Sequence, residues 1–285
     1  MTITIEVDLF SGRPNPVIDL DDTASRSLVE RISPTSRLEA TRMAPSYLGY
    51  RGFIVSGAGQ YNDELPSRLR LHAGTVTGIG LAHRIEDTEV ERSLAGSDGP
   101  LTEIDLDLER LLAEIDRASE LIEWPWWRWH PWPWLNPCSC APIYEPSWWN
   151  VPALQPVNNC YNYATNYRTD TFAQPGLAAG AQYTSFTCDA IRTASIADDL
   201  IDSPGADNSC PSLGHLVALV IDPGWDFHWY RKGADGAWTH KPGHTPVTNV
   251  DNSGNAIVDP RTADRGSYTD FCTFMVVMHG HIKLA

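Results

Sequence analysis

Asn158-Asn159-Cys160-Tyr161-Asn162-Tyr163-Ala164 is the stretch around which the chain is organised. A cysteine stands here between a Pro-rich approach and a short aromatic helix, expected to run from Cys160 to about Arg168. Fifty-five residues later His215 opens the apolar run Leu216-Val217-Ala218-Leu219-Val220-Ile221, which reads as a buried strand. A thiol at a helix start with an imidazole on a strand is a layout suited to a thiol nucleophile.

The residues downstream of this stretch set the fold class. A second short helix is expected over 188–200, then a loop rich in Pro, Gly, Ser and Asn over 202–214. Strands follow over 215–222 and 226–231, with an Asp-Gly hairpin turn at 232–237 and a return strand from Trp238 to His240. Asp251-Asn252-Ser253-Gly254-Asn255 is another turn, and 271–278 a final buried strand. Helices first and antiparallel strands afterwards is an α+β order.

Upstream lies an unusual segment. Residues 123–134 hold six tryptophans, and Trp148-Trp149 follow. Pro at 125, 131, 133, 137, 142, 146, 152 and 156 is expected to forbid helix and favour extended or polyproline II backbone. Such a concentration of large aromatic surface reads as a strap laid across the protein, or else as a platform for a sugar or peptide. Before it, residues 2–9 alternate as a half-buried strand, and Phe10-Ser11-Gly12-Arg13-Pro14-Asn15-Pro16 makes a turn in which Arg13 is a candidate anion contact. A helix over 21–32, strands at 50–55 and within 69–81, and a long helix from Thr102 to about Glu123 complete a small α/β module. The organisation is therefore two-domain: 1–122 the N-terminal module, 123–157 the Trp/Pro-rich strap or linker, and 158–285 the domain bearing the candidate chemistry.

Composition narrows the partners. The formal net charge of −15 disfavours phosphate backbones, so nucleic acid is not an expected partner. The longest apolar run is far too short to span a membrane. The start of the chain has neither a basic n-region nor an apolar h-region, which points to the cytoplasm, with export by another route left open. A cytoplasmic setting makes a disulfide framework unexpected for the six cysteines, all of which follow residue 137. Cys138-x-Cys140 is too tight for a zinc knuckle, and neither metal nor cofactor is called for.

Within 158–285, Cys160 at a helix start is expected to have a lowered pKa, with His215 or His228 as base and the other as orienter. Gln155 and Asn159 are candidate oxyanion donors, and Asp226 a candidate orienting carboxylate. Trp148, Trp149 and Tyr161 are candidate substrate contacts. Across the Asp-Gly hairpin, a two- or four-residue loop puts His228 and His240 on opposite faces of the sheet, and a three- or five-residue loop reverses this.

Cys160, His215 and His228 resemble, in order and rough spacing, the papain-like superfamily, especially its NlpC/P60-type cysteine peptidases and amidases. The resemblance covers residues 155–280 or so. Asn159-Cys160-Tyr161-Asn162 stands where that family carries Asp-Cys-Ser-Gly, and the Pro-Gly-Asp before the His strand is missing. The resemblance implies a cysteine hydrolase acting on a peptide or amide substrate. The alternative is a non-enzymatic binding or interaction protein that uses the Trp/Pro-rich segment to recognise a glycan, peptide or protein.

Overall fold

The computed structural model describes residues 2–33, 36–37, 47–78, 81–120 and 138–285. The fold is α+β, and its chain divides into two compact units. Among the described residues the first holds 2–9, 15–33, 36–37, 50–78 and 81–120, and the second holds 10–14, 47–49 and 138–285.

The first unit is built on an antiparallel sheet. Its strands are β1 (Ile3–Val7), β2 (Val17–Leu20), β3 (Ser36–Arg37), β4 (Phe53–Ser56), β5 (Arg68–His72), β6 (Thr75–Gly78) and β7 (Leu81–Arg84), in the order β2-β1-β4-β5-β6-β7-β3. Ile3, Ile5 and Val7 point inward while Thr4 and Glu6 alternate away, as a period of two demands. Ala73 and Gly74 both take positive φ in the two-residue turn between β5 and β6, the geometry that matches strand twist. Helix α1 (Asp22–Ile32) starts where the Asp21 carboxylate accepts the Ala24 N–H. Helices α2 (Val90–Ala95) and α3 (Leu108–Glu120) follow. The expected start of the long helix at Thr102 is displaced, because Pro100–Glu103 forms a separate 3-10 turn. Its expected end near Glu123 lies outside the described residues. The sheet is wholly antiparallel, so the expected α/β module is better described as α+β.

Among its described residues the second unit contains α4 (Pro146–Trp149), α5 (Cys160–Thr165), α6 (Cys188–Ala197) and five antiparallel strands. These are β8 (Ile201–Asp202), β9 (His215–Asp222), β10 (Asp226–Lys232), β11 (Trp238–His240) and β12 (Asp270–Val277), in the order β11-β10-β9-β12-β8. Its central strand β9 is buried along its whole length, which is why it reads as a continuous apolar run. Val217, Leu219 and Ile221 face α5 and α6, together with Phe227, Trp229, Met275 and Val277. Leu216, Ala218 and Val220 face the other way, among Tyr230, Trp238, Ile257, Tyr268 and Phe274.

Two disulfides brace this unit, Cys138–Cys210 and Cys188–Cys272. A disulfide framework, unexpected for a cytoplasmic setting, is therefore present. The second ties the first residue of α6 to the bulge in β12. Each closes a span of 72 or 84 residues, a constraint on the unfolded chain worth about 4 kcal/mol in the chain-entropy picture.

The described end of the Trp/Pro-rich segment is stitched along the same unit. Cys138 N–H donates to the Ala234 carbonyl and Ala234 N–H to the Pro142 carbonyl, at 2.9 Å each. Arg231 reaches the Ile143 carbonyl at 3.2 Å, and the Tyr144 hydroxyl reaches the Val247 carbonyl at 3.3 Å. Proline does not exclude helix here: Pro146 stands at the first position of α4, where a missing N–H costs nothing. The six tryptophans of residues 123–134 lie outside the described residues.

Residues 10–14 belong to the second unit and are held by its side chains. The Asp226 carboxylate accepts the N–H groups of Ser11 (2.5 Å), Gly12 (3.3 Å) and Arg13 (3.1 Å). The Gly12 carbonyl accepts from Asn159 Nδ2 (2.9 Å) and Gln174 Nε2 (2.8 Å). A Cβ on Gly12 would lie 2.5 Å from the Phe227 ring, closer than atoms can approach. Gly12→Ala is therefore expected to destabilise the protein by about 1–3 kcal/mol, as overpacking does. Urea unfolding followed by tryptophan fluorescence measures this, and an unchanged midpoint would show that the ring yields freely.

Candidate functional site

Asn159 and Asn162 decide where α5 begins. The Asn159 side-chain carbonyl accepts the N–H groups of Tyr161 (3.0 Å) and Asn162 (3.1 Å), and the Asn162 side-chain carbonyl accepts the Asn159 N–H (3.0 Å) in return. This reciprocal capping box makes Cys160 the first residue of the helix, as expected. The remaining positions of both amides are filled. Asn159 Nδ2 donates to Gly12 and Ala173 carbonyls, while Asn162 takes the Ala173 N–H and donates to the Tyr167 carbonyl and Thr169 hydroxyl. Each side chain makes the four hydrogen bonds an amide can make. Asn166, in the left-handed region at φ 61°, ends the helix after Thr165 and before the expected Arg168.

The thiol that this helix positions faces inward. Cys160 is fully buried, in the apolar cluster formed by Tyr161, Ala164, Val217, Leu219, Phe227 and Trp229. Burial pushes the thiol well above its ordinary value, and the charge of nearby Asp226 pushes it the same way. Hydrogen bonding from the Trp229 and Cys160 backbone only partly offsets this. The expected helix-start activation therefore loses to desolvation, and the thiol stays protonated.

Neither histidine comes to it as a base. His215 lies on the same sheet face, but its Nε2 is 2.7 Å from the Ala164 carbonyl near the far end of α5. A carbonyl only accepts, so this nitrogen carries the proton. His228 lies on the opposite face of the sheet. The hairpin register pairs Tyr230 with His240 and Lys232 with Trp238, leaving a five-residue loop, Gly233 to Ala237. That is the odd-numbered case in which parity reverses. His228 and His240 share a face and hydrogen-bond to each other, Nε2 to Nδ1, at 2.9 Å. His240 Nε2 continues to the Val250 carbonyl at 3.0 Å. The Tyr268 hydroxyl, near His228, donates to Asp226 at 2.5 Å.

The other expected site residues also serve the scaffold. Asn159 has no donor left for an oxyanion. Gln155 Nε2 donates to the His244 carbonyl at 3.0 Å. Asp226 is fully buried and holds residues 11–13 rather than an imidazole; burial raises its pKa, while Tyr268 and the Ser11 and Arg13 N–H groups oppose that shift. Tyr161 is buried with its hydroxyl on Asp198 (2.9 Å), and Trp149 is buried against Tyr163. Trp148 alone among the three expected substrate contacts is exposed, at 53%. The Arg168 guanidinium lies 3.5 Å from its ring centroid and donates to its carbonyl at 2.9 Å. Arg13, the candidate anion contact, stacks on Phe10 at 4.0 Å and donates to the Trp225 carbonyl. Among the described residues no three His, Cys, Asp or Glu side chains come together as metal ligands would, and no helix is long and apolar enough to cross a membrane.

No family model and no solved structure matches the chain. Over 140 residues, 48% of this chain and 91% of the relative, it is 45% identical to the insoluble matrix shell protein 1 of Ruditapes philippinarum. A relative of that description overturns the expected cysteine hydrolase, and the sealed Cys160 thiol gives the physical reason. The cytoplasmic assignment falls with it, since a shell-matrix relative and two disulfides both point to an oxidising, extracellular setting.

Burial also gives His215 a measurable signature. It holds the imidazole down, to about 3 from the ordinary 6.5, although the Ala164 bond pulls upward. The neutral ring is thus favoured in the folded state, and its contribution to stability is complete above pH 6.5. As pH falls toward 3 the unfolded chain gains a proton that the folded chain refuses, and about 2 kcal/mol is lost by pH 5. His215→Gln keeps a donor for Ala164 and removes the titration. Its urea-unfolding free energy is expected to fall about 2 kcal/mol less than the wild type between pH 7 and pH 5. Parallel pH curves for the two proteins would contradict this.

Proposed function

This chain belongs to the family of the insoluble matrix shell protein 1, and we propose that it is a non-catalytic extracellular matrix protein that binds other matrix components. The observation that carries this reading is the sealing of Cys160, with His228 on the other side of the sheet and His215 committed to the helix backbone. Every expected member of the catalytic set instead has a role in holding the second unit together. Any kinship with papain-like enzymes would then lie in the scaffold and not in its chemistry.

The binding element is the Trp/Pro-rich segment. Its described end is fixed to the second unit by backbone hydrogen bonds and the Cys138–Cys210 bridge, and it presents Ile143, Trp148 and Val151 to solvent. A tryptophan ring held by an arginine stack suits the flat apolar face of a sugar ring, and a fixed side chain loses little entropy on binding. The expected partner is an insoluble matrix glycan or protein, not a cleaved amide and, at a net charge of −15, not nucleic acid.

Retention on washed particles of insoluble polysaccharide tests this directly. The wild type is expected to be retained, and Trp148→Ala to cut the retained fraction about tenfold, an effect of ~1.4 kcal/mol. Equal retention of the variant, or none for the wild type on polysaccharide and on insoluble protein matrix alike, would reject the reading.

A further inference from the structure

Six cysteines yield two bridges and two thiols, Cys140 and Cys160. Cys160 is sealed. Cys140 is exposed, and it is placed beside a disulfide. Cys138-Ser139-Cys140 forms a turn closed by the Ala141 N–H on the Cys138 carbonyl at 3.0 Å, so one short loop carries a bridged sulfur and a free one. The facing loop carries the other half of the bridge. Cys210 is bridged to Cys138, and two residues on, the Ser212 carbonyl lies 3.7 Å from Cys140 Sγ. Cys138 is buried but Cys210 is only half-buried, so Cys210 is the more exposed residue of the bridge. Neither loop is part of a helix or a strand.

We propose that Cys140 joins copies of this chain by thiol–disulfide exchange with the Cys138–Cys210 bridge of a second copy. This inference rests on the matrix reading and gives it a covalent mechanism of assembly. The Cys140 thiolate attacks Cys210 Sγ of the second copy. A Cys140–Cys210 bond forms between chains, the Cys138–Cys210 bond breaks, and Cys138 leaves as a thiolate that takes up the proton Cys140 released. One disulfide and one thiol enter, one disulfide and one thiol emerge, so no oxidant is consumed. The second copy keeps its own exposed Cys140 and attacks a third. Donor and acceptor sulfurs differ, so the link is head-to-tail and grows open chains. An exposed unpaired cysteine in an extracellular protein is the usual source of such links.

The test uses an equal mixture of full-length 14N and 15N protein at pH 8, with oxygen excluded and a metal chelator present. The expected result is a ladder on a non-reducing gel that collapses with reductant, and Cys140–Cys210 peptide pairs carrying one isotope on each side. Cys140→Ser is expected to reduce the ladder at least tenfold. Its fold should persist, because among the described residues the hydrogen bonds of the Cys140 sulfur are long ones to Ser139 and Ser212. A wild type that stays monomeric, a Cys140→Ser ladder equal to the wild type, peptide pairs confined to one isotope, or Cys140–Cys140 links alone would each overturn the proposal. Polysaccharide retention is read separately. Retention without a ladder rejects the exchange and leaves the matrix reading standing, while a ladder without retention does the reverse.

Discussion

A glycine backbone gripped from both sides organises the second unit. The Asp226 carboxylate takes the N–H groups of residues 11–13, and the amides of Asn159 and Gln174 take the Gly12 carbonyl. The Phe227 ring lies where a side chain would be. Buried backbone groups in an irregular segment must find partners, and here side chains supply what a sheet or helix would otherwise provide. Through this contact β10, α5 and the loop at 173–174 are held in one register. The capping box of Asn159 and Asn162 extends it into the helix that carries Cys160.

The same constraint explains why the arrangement is not a catalytic centre. A nucleophilic cysteine needs a stabilised thiolate, a base at hydrogen-bond distance and room for a substrate. Here α5 turns Cys160 into the apolar layer between helix and sheet, where a charge is costly. The polar groups that a site would need are already engaged: Asn159 by four hydrogen bonds, His215 Nε2 by Ala164, and His228 Nε2 by His240 on the other face of the sheet. Hydrogen bonds of this kind rigidify a core. The apolar side chains that the second unit exposes include Ile143, Trp148 and Val151, and the Cys140 thiol is exposed as well.

Much of this fold is legible in the sequence. Continuous apolarity marks β9 as buried on both faces, alternation marks β1, and Asn before Cys160 coincides with a helix start. The placement of the site is less legible, for identifiable reasons. Whether His228 and His240 share a face depends on one residue of loop length, since each added residue inverts the face, and the Asp-Gly turn closes with five residues where two or four were also plausible. The direction of Cys160 depends on which side of α5 packs on the sheet, and a six-residue helix with aromatic residues at 161 and 163 has no clear polar side. The bridges escape because expectation followed the inferred compartment, although cysteines confined to residues 138–272 were consistent with a braced domain. Asp226 is expected to orient an imidazole; the backbone N–H groups it holds instead lie more than 200 residues away in sequence and leave no local signal.

Accessibility of the Cys160 sulfur tests the central claim most directly. The folded protein is treated with iodoacetamide at pH 6 and then at pH 8, and the labelled peptides are identified by mass, with a denatured sample as reference. The account predicts that Cys140 is alkylated in the folded protein and that Cys160 is alkylated only after unfolding. Rapid, selective labelling of Cys160 in the folded protein at pH 6 would contradict it, because only an accessible thiolate reacts that way.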